Sequence, residues 1–199
     1  MDKMLKKIEL NDLLKLGEGN SRVCYNHPND NTKVLKISKN RLNKECDNVL
    51  EYAYFTYLNK KNTPLLHLAN SYGFVDTNFG KALVSDKICN YDGKISKSFS
   101  DILYSKTLQM EDENTLIKDL RDYIFKYNIL FLDVNLSNVF CCEYERNKYK
   151  LIIIDGVGTA RDKFRLELYF KFKWYSKYKI KKQWKKFIQN IEKLKNEKQ

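Results

Sequence analysis

"DVNLSNVF", residues 133–140, lies between two apolar runs, "YNILFL" (127–132) and "VFCCEY" (139–144). One carboxylate, two carboxamides and a hydroxyl fall within the six residues 133–138, enclosed by sequence that favours burial. Asp, Asn and Ser form turns and caps, so a solvated turn is one reading. A calcium loop is another, but it needs Gly at its sixth position and Glu at its twelfth, where Asn138 and Tyr144 stand. A third is a phosphoryl-transfer loop. In that chemistry Asp133 accepts or orients the proton of an attacking hydroxyl, and Asn138, five residues on, binds a magnesium ion.

The third reading makes demands elsewhere in the chain. A second metal-binding Asp should end a nearby apolar strand and be followed by a small residue. "LIIIDGVG" (151–158) supplies Asp155 and Gly156. A glycine-containing turn between two strands should cover the phosphates. "LGEGNSRV" (16–23) offers Gly17, Glu18, Gly19, Asn20, Ser21 and Arg22. A lysine should sit inside the next strand, and "KVLKI" (33–37) offers Lys36. A lysine between buried neighbours is costly unless paired. Glu51, bordering the apolar face of the following helical stretch, is the expected partner, with Glu45 as its substitute. Each signal is common alone; their order along the chain is what carries weight.

The coarse pattern agrees with that order. Residues 5–25 read as two strands around "LGEGNS", 32–38 as a third, and 43–60 as a helix with apolar residues at helical spacing. Residues 65–88 read as two strands around "DTNFG". Short and long helices are expected at 96–106 and 111–128, a hairpin turning at "ERNK" after the 133–138 loop, and basic helix over 163–199. The pattern breaks at "NYDGK" (90–94), which sets a boundary near 88–95.

Composition sets further bounds. A hydrophobic content of 43% supports a sizeable core, and 7 Gly with 2 Pro argue against long linkers. A formal charge of +12 favours anionic ligands. Cys24, Cys46, Cys89, Cys141 and Cys142 include no C-x-x-C, so neither a zinc site nor a disulfide framework is indicated. Reduced thiols in the cytoplasm are the expectation. The charged start "MDKMLKKIEL" is not followed by the apolar segment of a signal peptide, and no run of 18 apolar residues offers a membrane span.

At these residues the chain resembles the protein-kinase-like superfamily and, more narrowly, the bacterial YrbL family, named for its link to the PhoP regulatory network. The resemblance rests on "LGEGNSRVCYNHPNDNTKVLKI" (16–37), "HLANSYGFVDTNFGKALVSDKICNYDGKISKSF" (67–99), "FLDVNLSNVF" (131–140) and "IIIDGVG" (152–158), and covers roughly residues 12–165. It implies an α+β, two-lobed protein-kinase-like fold with ATP in the cleft. Residues 1–88 would form a small antiparallel-sheet N-lobe and residues 89–199 a truncated helical C-lobe. Lys36 would bind the α/β-phosphates, Asp133 would be the base, and Asn138 and Asp155 would hold Mg²⁺. Asp86 would fall on the hinge, with the backbone of Asp86 and Ile88 meeting adenine.

The departures steer the function. Arg22 replaces the third glycine of the phosphate loop and would touch a phosphate instead. Phe131-Leu132 replace the His-Arg before the base, Gly156 replaces the Phe after the metal-binding Asp, and no A-P-E signature follows. With 44 residues after Asp155, the substrate lobe of a protein kinase is not expected. These features favour an Mg-ATP-dependent phosphotransferase acting on a hydroxyl of a small-molecule, saccharide or lipid-linked acceptor, not yet identified, rather than on a protein. The alternative is an ATP-binding regulatory module of pseudokinase type, without phosphotransfer. The basic, aromatic stretch from 163 onward is read chiefly as helices packing on the second half through their aromatics. An anionic membrane surface is the next partner in order and nucleic acid the last.

Overall fold

The structure, a computed structural model, describes residues 7–39, 47–160 and 162–197. Its architecture is mixed α+β. Strands β1 (Lys15–Glu18), β2 (Arg22–His27), β3 (Asp30–Ser38), β4 (Ser71–Thr77) and β5 (Gly80–Asp86) form an antiparallel sheet in the order β1-β2-β3-β5-β4. Helix α1 (Asp47–Lys60) intervenes between β3 and β4. A second antiparallel sheet contains β6 (Lys97–Ser98), β7 (Val139–Glu145) and β8 (Lys148–Ile153), with α2 (Phe99–Ser105) and α3 (Met110–Tyr127) between β6 and β7. Helices α4 (Lys163–Lys171) and α5 (Lys173–Asn196) complete the described elements.

Two hydrophobic clusters explain this arrangement. The smaller joins Leu10, Tyr25, Leu35, Ile37 and Ala82 on one face of the five-stranded sheet. Side chains alternate along a strand, so Lys36, between Leu35 and Ile37, points to the opposite face. The larger cluster unites α2, α3, α5 and the β7–β8 hairpin with Leu50, Tyr54, Phe55 and Leu58 of α1. Helix α1 therefore ties the sheet to the helical part: its Tyr54 hydroxyl accepts the Leu130 amide at 2.9 Å.

The observed elements depart from the sequence expectations in identifiable places. Residues 65–70 are not a continuous strand. They touch β8 at one parallel bridge, Leu68 with Ile153, where the Ala69 amide donates to the Ile153 carbonyl at 2.9 Å. Before β1, Asp12–Leu14 form a 3-10 turn capped by Asn11, which interrupts the strand expected from residue 5, and residues 5 and 6 lie outside the described residues. The basic segment is two helices, broken at Phe172 (φ −110°, ψ 93°). Glu45, the substitute partner for Lys36, and Cys46 lie outside the described residues. Cys24, Cys89, Cys141 and Cys142 are free thiols. No helix among the described residues is long and apolar enough to cross a membrane.

Candidate functional site

Lys36 stands on the central strand, paired in register with Cys24 of β2 and Leu83 of β5. It is 4% exposed, and its partner Glu51, on the buried side of α1, is 2% exposed. The Lys36 Nζ donates to Glu51 Oε1 at 2.8 Å and to the carbonyl of Ile154 at 2.7 Å. One bond reaches α1; the other reaches the residue immediately before Asp155. A buried ammonium needs such partners, and burial still pulls Lys36 below its ordinary value of 10.5. Burial alone would raise Glu51, but the charges of Lys36 and Arg22 outweigh it and hold the carboxyl below 4.5.

Arg22 completes this cluster from the start of β2. Its guanidinium, on a residue 5% exposed, donates to Glu51 Oε2 at 2.6 Å, to Asn48 Oδ1 at 3.1 Å, and to Asp155 Oδ1. Asn48 in turn donates to the Lys36 carbonyl at 2.8 Å, and Ser21 to Asp47 at 2.6 Å. The 17–22 turn is thereby fastened to α1 through its last two residues. Gly17 and Glu18 end β1, and the Gly19 amide closes the turn on the Arg22 carbonyl at 2.9 Å. Glu18 pairs with Lys15 and Lys39, which lower its pKa to about 2. The space beside Gly17 is open: a Cβ added there would meet nothing within 4 Å.

The 133–138 loop answers the question that its composition raises. Val134 and Leu136 are buried while Asp133, Asn135 and Ser137 are exposed, so alternation anchors the loop and presents its polar groups. Asn138 Nδ2 donates to the Asp133 carboxylate at 2.9 Å and to its carbonyl at 3.0 Å. The loop meets Asp155 through Gly156, whose carbonyl accepts the amides of Leu132 at 2.8 Å and Asp133 at 3.2 Å. Gly156 has φ +81°, and a Cβ there would lie 2.6 Å from the Asp133 carbonyl oxygen. Strain and clash add, so Gly156→Ala is expected to lower stability by about 2–4 kcal/mol in urea unfolding. A loss below about 1 kcal/mol would mean that the two loops do not approach this closely.

Helix α5 holds the same loop from outside. Gln183 donates to the Leu132 carbonyl and Asn190 to the Val134 carbonyl, the latter at 2.9 Å. Between them, fully buried Phe187 packs edge-on against Phe131 with ring centroids 5.8 Å apart. Gln183, Phe187 and Asn190 recur at i, i+4 and i+7 and so share one helix face. Sequence reading saw the aromatic stripe here and missed the two carboxamides. Asn48 was missed as well, although it lies one turn before Glu51 on the same helix.

Lys36, Glu51, Arg22 and Asp155 are thus directly joined, and Asp133 and Asn138 are joined to them through the backbone of Gly156. Asp86 and Ile88 stand apart from this cluster. Asp86 ends β5 three residues past the partner of Lys36, about 10 Å along the strand. Its carboxylate accepts from Lys33 Nζ, the Tyr72 hydroxyl and the Asn70 amide. The Asp86 amide donates to Asn70 and the Ile88 carbonyl accepts from Ser96, each at 3.0 Å. Ser85, just before Asp86, pairs in register with Val34 and Ser71. Alternation puts these two serines on the Lys36 face of the sheet. Both hydroxyls are buried and have no hydrogen-bond partner among the described residues, which a native interior rarely tolerates.

A family model described as PhoP regulatory network protein YrbL matches residues 8–192. Over 186 residues the chain is 25% identical to an Escherichia coli (strain K12) protein described as uncharacterized protein YrbL. That match covers 91% of this chain and 86% of the relative. A Shigella flexneri protein of the same description matches with the same identity and coverage. The matched region contains every candidate site residue, and the chain belongs to the YrbL family.

Proposed function

We propose that this protein is an Mg-ATP-dependent phosphotransferase of kinase-like architecture. In this reading residues 1–88 and 89–199 are its two lobes, and the acceptor is a hydroxyl of a saccharide or a lipid-linked group. The observation that carries the reading is the buried Lys36 ammonium. It is held by Glu51 at 2.8 Å and lies against the carbonyl of Ile154 at 2.7 Å, next to Asp155. A cation fixed in that way, facing a carboxylate and a loop of oxygen donors, suits a polyphosphate with its counter-ion.

The residues present fit that ligand. Asp155 and Asn138 offer hard oxygen donors. Mg²⁺ is usually held by one or two such groups together with substrate phosphates. Among the described residues no three His, Cys, Asp or Glu side chains gather into a self-sufficient metal site. Bound between Asp155 and Asn138, the ion would supply neutralisation of charge on the transferring phosphoryl group. Lys36 would grip the α/β-phosphates, with Glu51 keeping it in position. The open space at Gly17 would admit phosphate oxygens, and Arg22 would contribute a second cation. Adenine would meet the backbone of Asp86 and Ile88, close to the unpartnered hydroxyls of Ser71 and Ser85. Asp133 would take the proton of the attacking hydroxyl. The acceptor would find room beside it, in a cavity of about 420 Å³ lined by Asp133, Ser100, Asn135, Lys186 and Asn190 among others.

A second reading, an ATP-binding regulatory module without phosphotransfer, is favoured by one feature. Arg22 occupies an oxygen of Asp155, the carboxylate needed for metal. Turnover of ATP by the wild type and by Asp133→Asn decides between them. Turnover that depends on Asp133 supports phosphotransfer. Thermal stabilisation by Mg-ATP with equal background turnover in both proteins supports the regulatory module. Neither stabilisation nor turnover rejects both.

A further inference from the structure

We propose that the corner where α4 meets α5 docks onto an anionic phospholipid surface. Counted along the sequence, Phe170, Trp174 and Tyr178 form one helical stripe that should pack inward. The break at Phe172 resets the helical phase and splits that stripe. Phe170 stacks on Tyr57 with centroids 4.0 Å apart. Trp174 and Tyr178 instead turn outward, 71% and 61% exposed, as does Phe164 at 71%.

The opposite face of α5 is buried through Ser176, Ile180, Gln183, Phe187 and Ile191, so the outer face is presented on a firmly seated helix. Trp174, Tyr178, Lys181 and Lys185 recur there at i, i+4, i+7 and i+11, all exposed. Residues 163–186 carry ten Lys and Arg against a single acid, Glu167. None of those ten cations makes an ion pair with a described residue. Their mutual repulsion is felt locally: burial lowers the Lys179 pKa, and so do the charges of Lys182, Arg165 and Lys186. Arg165 belongs to α4, so cations of the two helices crowd together along the flank of α5 that carries Lys179, Lys182 and Lys186.

Lysines with no ion pair among the described residues, set around exposed Trp, Tyr and Phe, match the chemistry of a bilayer interface. There aromatic rings lie at headgroup depth and basic side chains meet anionic lipid. Nine of the ten cations are lysines, which lack the planar fork that reads base edges bidentately. The stripe also follows the outer face of one helix rather than a groove that would track a nucleic-acid strand. This inference stands independently of the phosphotransfer reading.

Flotation of the full chain with phosphatidylcholine vesicles, with and without one quarter phosphatidylglycerol, tests it. Binding is expected only with phosphatidylglycerol and should weaken as salt rises. Each surface lysine contributes about fivefold to partitioning. The triple variant Lys177→Glu, Lys181→Glu, Lys185→Glu should therefore bind at least about a hundredfold more weakly, and Trp174→Ala with Tyr178→Ala should also bind less. All five side chains are exposed, so melting temperatures should stay near that of the wild type. Trp184→Phe leaves Trp174 as the one indole, whose emission should shift to the blue on anionic vesicles. Absent binding, or binding that survives the charge reversal, overturns the proposal. So does tighter binding to a single-stranded oligonucleotide that displaces the vesicles. A blue shift that grows with protein concentration without lipid would assign the face to a second copy of the chain and also overturn it.

Discussion

Glu51→Gln is expected to lower the stability of the protein by about 3–5 kcal/mol, the cost of breaking a buried ion pair by removing one partner. Glu51 is the shared anion of two buried cations, with Lys36 at 2.8 Å and Arg22 at 2.6 Å. Neutralising it leaves both facing a low-dielectric interior, and among the described residues Arg22 then keeps an ion pair with Asp155. Equilibrium urea unfolding of the two proteins at neutral pH measures the difference. A change below 1 kcal/mol would show that the cations reach water by another route. The pH dependence gives an internal control. The folded-state pKa of Glu51 lies below its ordinary 4.5. Its ionised form therefore contributes fully above that value, and the contribution fades as pH falls through the lower folded-state value. The gap between wild type and Glu51→Gln should accordingly narrow below about pH 4.5.

Asp133→Asn is expected to have the opposite profile: little loss of stability and a large loss of turnover. Asp133 is exposed, and exposed substitutions usually change stability by no more than about 0.5 kcal/mol. Its carboxylate accepts from Asn138 at 2.9 Å. An asparagine of the same shape can turn its oxygen toward Asn138 and keep that bond. What it loses is the ability to take a proton. A positioned general base contributes about 10²–10⁴-fold, so phosphotransfer should fall by that factor while Mg-ATP still stabilises the fold. Turnover within about threefold of wild type, in a protein that melts normally, would remove Asp133 from the mechanism. A melt that collapses would instead mean that the loop depends on this carboxylate for its structure.

The element order was largely legible in the sequence because the relevant signals are local. Period-two alternation marked β3, apolar spacing marked α1 and α3, and the Asn-containing turn at residues 145–148 marked the β7–β8 hairpin. Lys36 and Glu51 were paired correctly for a physical reason: a strand lysine among apolar neighbours demands an anion, and the next helix offered one. Arg22 was seen as a departure from a glycine pattern, but its inward direction was not. Nothing in "NSRVC" says whether an arginine at the first residue of a strand reaches solvent or turns beneath the sheet. In the tail the expected packing holds for Tyr169, Phe170, Tyr175, Trp184 and Phe187 but fails for Trp174 and Tyr178, since helical spacing was counted across Phe172, where the helix ends and restarts. That single break turned Trp174 and Tyr178 outward.

By itself the sequence determined most of the segments that become strands and helices, and that a buried lysine must find a carboxylate nearby. Alternation, helical period and the cost of an unpaired charge act over a few residues or one element. Only the tertiary structure decided that Arg22 meets Asp155, 133 residues away, and that Lys36 reaches the carbonyl of Ile154, 118 residues away. It likewise decided that Gln183 and Asn190 hold the loop around Asp133. Such contacts depend on how packed elements orient against each other, and that orientation is set by the shared core of α1, α5 and the β7–β8 hairpin.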